Sequence, residues 1–343
     1  MTENLINDSG ALAYVIEMQE LLARSIPLPR SEENYALLDF PNIRNVGDSA
    51  IWLGELAFFR KHVGRPPSYI CSMADFDAYA LESAAPDGPI YLHGGGNFGD
   101  IWIGHQEFRE MILTRFPSRK IIQLPQSLHF KADKAIERCK RVIDRHADFT
   151  LLVRDQRSLD LSSDCFDCAA YLAPDMAFSI GSIKKLQNPL FPILAMLRQD
   201  KEKADQAHSN LDTYDGIPID DWITEPVFSI RAAKLRGLLE GATKLSLNAV
   251  RLAKFSAAAE HRFNRGVRQL SKAEIVITDR LHVHIISLLL GRVHGVLDNS
   301  YGKIANFRAA FPEPDGLTFS FEALGDAVKW AKGQAAEYDT AGT

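Results

Sequence analysis

The chain has 343 residues, too many for one ordinary hydrophobic core and enough for two domains. Apolar residues make up 46% and charged residues 24%, a balance that excludes a disordered or membrane-embedded protein. The net charge of −5 gives no general attraction to nucleic acid or anionic lipid, so no nucleic-acid partner is expected and any basic site must be local.

Met1 to Gly10 has no cationic start and apolar run, and the stretch Val283 to Leu290 is too short to span a bilayer. A cytoplasmic protein is expected, with peripheral contact at the inner face of the membrane left open. Apolar spacing predicts an amphipathic helix over Ala11 to Ser25. Strands are expected at Tyr35 to Phe40, Ser68 to Ser72, Ile90 to His93, Lys120 to Leu124 and Phe149 to Val153. Helices are expected between them at Ser49 to Val63, Ile101 to Phe116 and Ala132 to His146. This alternation argues for βαβ units and parallel, doubly wound sheet. Ala169 to Ile180 reads as a strand and connection, and Leu190 to Arg198 starts a second array. Lys201 to Asp221, broken by Gly216 and Pro218, reads as an exposed excursion. Helices over Ser229 to Leu239 and Leu247 to Leu270 precede a strand at Ile275, a buried helix from Val283, a strand at Val293 to Leu297 and a last helix over Phe321 to Lys332. The expected fold is α/β: two Rossmann-like domains facing a cleft, residues 1–185 and 186–343, the second ending in the C-terminal helix.

Polar clusters fall at the strand ends, where open α/β sheets bind ligands. Asp48 and Ser49 follow Gly47 at a helix start, each a candidate N-cap and Asp48 also a candidate general base. His93 to Asp100 holds Gly94, Gly95, Gly96 and Asn97, with spacing of neither a dinucleotide loop nor a P-loop, and reads as a binding loop between strand and helix. Arg154 can grip a carboxylate or phosphate through two hydrogen bonds, against a solvated pair with Asp155. Thr278 to His282 closes an apolar strand and opens a helix. Arg280 has no evident acidic partner except Asp279, so its removal should weaken anion binding and leave the fold intact. Ser300, Tyr301 and Lys303 precede another helix and can hold a phosphate. Cys165 and Cys168 have CxxC spacing, but nothing completes a zinc set, so free thiols and no metal are expected. Together these residues describe a site for a small polyanion.

In order, Asn45-Val46-Gly47-Asp48, Leu92-His93-Gly94-Gly95-Gly96-Asn97, Pro125-Gln126-Ser127, Val153-Arg154-Asp155, Ala173-Pro174-Asp175, Asp279-Arg280-Leu281-His282 and Asp298 to Lys303 resemble the polysaccharide pyruvyl transferase family. The resemblance covers about Asn42 to Phe307. It implies a glycosyltransferase-B-like pair of Rossmann domains, with phosphoenolpyruvate as donor on the second domain and the acceptor on the first. It implies transfer of pyruvate as a ketal onto two hydroxyls of a cell-surface or exopolysaccharide sugar, carried as a lipid-linked oligosaccharide. It also implies donor contacts from Arg280, Leu281, His282 and Arg154. No cofactor is needed. Histidine suits delivery of a proton to the donor's methylene carbon, and His282 is the candidate, with His93 and His284 in reserve. Two other readings are a nucleotide-sugar glycosyltransferase on the same architecture and a non-catalytic anion- or glycan-binding protein.

Overall fold

The computed structural model describes residues 2–198, 213–222, 225–242, 246–298 and 302–341. In chain order they run α1 (Thr2–Ser25), β1 (Ala36–Leu38), α2 (Val46–His62), β2 (Tyr69–Ile70), α3 (Ala78–Ala84), β3 (Ile90–Leu92), β4 (Gly95–Gly99), α4 (Ile103–Arg115), β5 (Ile121–His129), α5 (Asp133–Ile143), β6 (Phe149–Val153), α6 (Gln156–Cys165) and β7 (Ala169–Leu172). A 3-10 turn at Met176–Ile180 leads to β8 (Phe191–Met196), β9 (Thr213–Tyr214), β10 (Ile217–Asp220), α7 (Val227–Ala242) and α8 (Leu247–Ser271). Then come β11 (Ala273–Thr278), α9 (Leu281–Leu289), β12 (His294–Leu297), α10 (Lys303–Ala310), β13 (Thr318–Phe321) and α11 (Leu324–Ala341).

The strands form two sheets. The first has the order β2-β1-β3-β5-β6-β7, with β4 on the far end of β5, and every pairing is parallel. The second has the order β13-β12-β11-β8-β10-β9, parallel except for the β9–β10 hairpin. Strands β1, β3 and β6 are buried along their whole length, which is why they read as unbroken apolar runs. Strand order reverses between β1 and β3 in one sheet and between β8 and β11 in the other. Such switch points leave a crevice at the carboxyl ends of the strands.

One apolar cluster holds Leu37 and Tyr91 of the first sheet together with Met196 and Val276 of the second, through residues of α2, α8 and α9. Phe255 of α8 stacks on Phe40 just beyond β1, with ring centroids 4.1 Å apart. Asn248 of α8 accepts from Ile70 N at 3.0 Å, tying that helix to the edge of the first sheet.

Several elements differ from expectation. The glycine stretch does not open directly onto a helix but forms β4, pairing with β5, whose pairing shifts register on either side of Pro125. The strand expected to end at Leu124 runs on to His129, and Pro125, which lacks an N–H for the ladder, sits where the register shifts. Gly95 and Gly99 have φ of +123° and +119°, and a Cβ at Gly99 would lie 1.8 Å from the carbonyl oxygen of His129. Of the expected excursion, residues 201–212 lie outside the described residues. Residues 213–220 are not an excursion: they form the β9–β10 hairpin on the second sheet, a strand pair too short to show periodicity. β13 and the helices α3 and α6 were also unforeseen, and α1 begins nine residues earlier than the apolar pattern.

Candidate active site

A cavity of about 580 Å³ opens where the two switch points meet. Its lining comes from the segments after β1, β3, β6, β8, β11 and β12, including Asp48, Gly96, Asn97, Arg154, Arg198, Arg280, Leu281, His282 and Lys303. Ser300 and Tyr301 lie outside the described residues.

Arg154 is not the solvated partner of Asp155. It is 2% exposed, and its Nε donates to Ser127 Oγ at 3.0 Å while Nη1 pairs with Asp175. Asp155 instead caps α6, accepting from Ser158 N at 2.8 Å. Asp175 is fully buried and carries a second partner, Nε2 of His282 at 3.4 Å. Burial alone would raise the Asp175 carboxyl, but the Arg154 guanidinium and then His282 outweigh it and hold it well below the usual carboxylate range. One carboxylate thus fixes a cation of the first sheet and a histidine of the second. Gly47, in the first turn of α2, faces that histidine: a Cβ there would fall 2.4 Å from Nδ1 of His282. A Cβ at Gly96 would lie 3.0 Å from Nη2 of Arg154 and 3.7 Å from Nζ of Lys303. The missing side chain leaves space between two cations, which suits an anion.

Arg280 does have an acidic partner, and it is Asp221 rather than Asp279. Nε and Nη2 of Arg280 fork onto the Asp221 carboxylate at 2.5 and 2.7 Å, both side chains being buried. Asp279 accepts from Arg198 N at 2.8 Å, and burial pushes its carboxyl up to about 6. Arg280 caps the start of α9 by position only, so His282 enters the cavity from the first helical turn.

On the opposite wall, Asn45 and not Asp48 or Ser49 caps α2, its side chain accepting from Gly47 N at 3.1 Å. Asp48 is therefore free of capping, half-buried and lines the cavity, with a Cβ at Gly95 3.8 Å from its Oδ1. Asn97 is held by Arg109 and Gln126, both donating to its Oδ1 at 2.8 Å. Arg109 is itself buried, bonded to Gln123 and Gln106 and 4.3 Å over the Phe98 ring. His93 lies behind this wall and is 1% exposed. Its Nδ1 is 2.9 Å from Glu55, which also accepts from Gly94 N at 2.8 Å. The pair anchors the glycine strand from beneath.

Sequence reasoning missed His105, in the first turn of α4, which lines the cavity with Nδ1 2.7 Å from Asp39 Oδ2. Asp39 is 4% exposed and takes φ +72°, a left-handed conformation that is strained for a non-glycine. The two are 66 residues apart, and no local spacing signals them. Asp221 was hidden at the end of the segment read as an exposed excursion, and Arg198 at the end of an expected strand whose polar end was not singled out. Asp175 was legible only as part of a motif.

The profile of the polysaccharide pyruvyl transferase family matches residues 45–301, which contain most of these groups. The chain belongs to that family. It is a transferase, and the family name makes a polysaccharide its acceptor. It is 30% identical over 301 residues to a putative pyruvyl transferase, EpsO, of Bacillus subtilis, covering 85% of this chain and 90% of that one. It is 32% identical over 294 residues to pyruvyl transferase 1 of Schizosaccharomyces pombe, covering 79% of this chain and 68% of that one. In fold it is similar to an uncharacterized protein of Klebsiella pneumoniae, with a TM-score of 0.52 at 19% identity over 90% of this chain and 98% of the other. Among the described residues no helix is long and apolar enough to cross a membrane.

Proposed function

We propose that the protein transfers pyruvate from phosphoenolpyruvate to two hydroxyls of a glycan repeat unit carried on a lipid, at the cytoplasmic face of the membrane. In this reading residues 1–185 and 186–343 are two Rossmann-like domains arranged as in glycosyltransferase-B enzymes, the first on the acceptor side and the second on the donor side. The observation that carries it is the cluster Arg154–Asp175–His282 beside Gly96 and Lys303: a histidine oriented by a carboxylate, next to a gap between two cations. Phosphoenolpyruvate has a phosphate and a carboxylate on a small carbon core, and Arg154, Arg280 and Lys303 line the cavity as N–H donors for them.

His282 gives a proton to the methylene carbon, which leaves an oxocarbenium-like centre at C2. One sugar hydroxyl adds there and loses its proton, the C2–O bond to phosphate breaks, and the second hydroxyl adds and loses its proton to close the ketal. Two hydroxyl protons are released; one balances the proton taken by carbon and the other leaves with phosphate. Asp48 and the Asp39-backed His105 face the cavity as acceptors for them. General acid catalysis of this kind contributes roughly 10²–10⁴-fold. The chemistry calls for no metal or redox cofactor. Thermal unfolding with single ligands tests the reading. Phosphoenolpyruvate alone, at a hundredfold excess over its Kd, should stabilise the protein by about 2.7 kcal/mol. Stabilisation by a nucleotide sugar and not by phosphoenolpyruvate would make it a glycosyltransferase instead.

A further inference from the structure

Helix α7 is inside out. A surface helix ordinarily buries its large apolar residues and shows its small and polar ones. Here the buried face carries one large apolar residue, Ile230, and otherwise Ala233, Gly237 and Gly241, and the glycines are required: a Cβ at Gly237 would lie 2.6 Å from the Ala253 carbonyl oxygen, and one at Gly241 2.6 Å from Val250 Cα. The solvent face carries Val227, Phe228, Leu235, Leu238 and Leu239, and Leu247 at the start of α8 is exposed as well. Phe228 is 85% exposed, Leu239 65% and Leu247 89%. Positions 228, 231, 235, 238, 239 and 242 recur at helical spacing, so this is one stripe rather than scattered residues.

Charge identifies the occupant. Helix α7 itself holds Arg231, Lys234 and Arg236 against Glu240, a net of +2, in a chain whose overall charge is −5. Arg231 stands exposed within the stripe. Arg236 is partly offset by Glu240 and Glu260, at 3.3 and 3.8 Å. Two copies meeting through this face would set +2 against +2, because a two-fold interface pairs a patch with itself. An apolar stripe edged by cations fits an anionic bilayer, where the large side chains enter the acyl boundary and the cations meet headgroups.

We infer that α7 and the start of α8 dock the protein on anionic lipid membranes. The helix lies at the cavity mouth: Lys234 donates to Asn42 at 3.0 Å, and Asn42 lines the cavity. Docking there brings the mouth to the lipid surface on which the proposed acceptor is carried. That consequence rests on the function proposed above; the binding itself does not.

Co-sedimentation of the full chain with vesicles tests it without donor or acceptor. Vesicles of phosphatidylglycerol and phosphatidylcholine should pull down at least about tenfold more protein than phosphatidylcholine alone, and added salt should reverse much of it, since it screens the attraction of surface cations to headgroups. Phe228→Ser with Leu239→Ser should abolish binding at unchanged melting temperature, because both side chains are already in solvent. Arg231→Glu should weaken it. The inference is overturned if the wild-type protein stays in the supernatant with both vesicles, binds both equally, or loses nothing in the double variant. It is also overturned if light scattering shows a wild-type dimer that the double variant dissolves, which would make a second copy the occupant.

Discussion

Two histidines on one turn of α9 have opposite fates. His282 reaches the cavity, where it pairs with Asp175, which it shares with Arg154. His284 is fully buried, its Nε2 2.8 Å from Glu313 and its Nδ1 2.7 Å from Nε2 of His294. His294 Nδ1 donates to the Arg292 carbonyl at 2.8 Å, so its Nε2 accepts from His284, and Arg308 closes the far side of Glu313 at 3.2 Å. The core network spends its hydrogen-bonding capacity internally and holds α9, β12 and α10 together. The cavity pair leaves capacity facing a space where a ligand fits. Titratable clusters alone do not mark an active site; access and incomplete pairing do.

The comparison predicts that substitutions at the cavity change binding or turnover, while those in the core network change stability. Arg280→Ala mixes the two and should have the largest effect. Losing a charge-assisted contact should weaken phosphoenolpyruvate binding about ten- to hundredfold. It also strands Asp221, so stability should fall by roughly 3–5 kcal/mol. Adding Asp221→Asn should recover stability but not affinity, measured by denaturant unfolding and calorimetric titration. Recovery of both would make Arg280 a purely structural residue.

His284→Asn should cost roughly 3 kcal/mol by stripping a partner from buried Glu313, with turnover of the remaining folded enzyme unchanged. Loss of turnover at full stability would erase the distinction between the two histidines. The same network sets an acid limit. Burial, with His284 next, pushes His294 down from its ordinary 6.5 to about 3, so the unfolded chain takes up a proton before the folded one. Burial opposes, but His284 lowers, the Glu313 carboxyl from 4.5 to about 2, with the same sign. The network's contribution is thus complete above pH 6.5 and falls as pH drops from 6.5 toward 2, the His294 part first and the Glu313 part below 4.5. His294→Gln should flatten the part between 6.5 and 4.5; an unaltered profile would place the acid sensitivity elsewhere. The smallest effect is expected from Gly96→Ala, which fills the gap between Arg154 and Lys303. It should reduce phosphoenolpyruvate affinity severalfold, with a stability loss of no more than about 1 kcal/mol as Arg154 shifts by a few tenths of an ångström. Unchanged affinity would move the anion out of that gap.

Much of this was legible in the sequence because parallel strands buried on both faces write themselves as apolar runs, as at Phe149–Val153, and their polar ends stand out. Arg154, Arg280, His282, Lys303, Asp48, Gly96 and Asn97 were named from strand ends and do line one cavity. Partners were not legible. Asp221 lies 59 residues from Arg280 and Asp39 lies 66 from His105, and only the crossing of two sheets brings them together. His93 looked like a ligand because it adjoins the glycines, but its ring turns inward to Glu55. The stripe on α7 escaped notice because periodicity reports which residues share a face and not whether that face is covered.

Steady-state phosphate release from phosphoenolpyruvate, in the presence of glycan from the producing cells, bears most directly on the central claim. Wild-type and His282→Asn enzymes are compared at saturating donor. If His282 delivers the proton to carbon, kcat falls about a hundredfold or more while KM for phosphoenolpyruvate changes little. A variant that keeps wild-type kcat and shows only a raised KM would reduce His282 to an anion contact and leave the acid step with another residue.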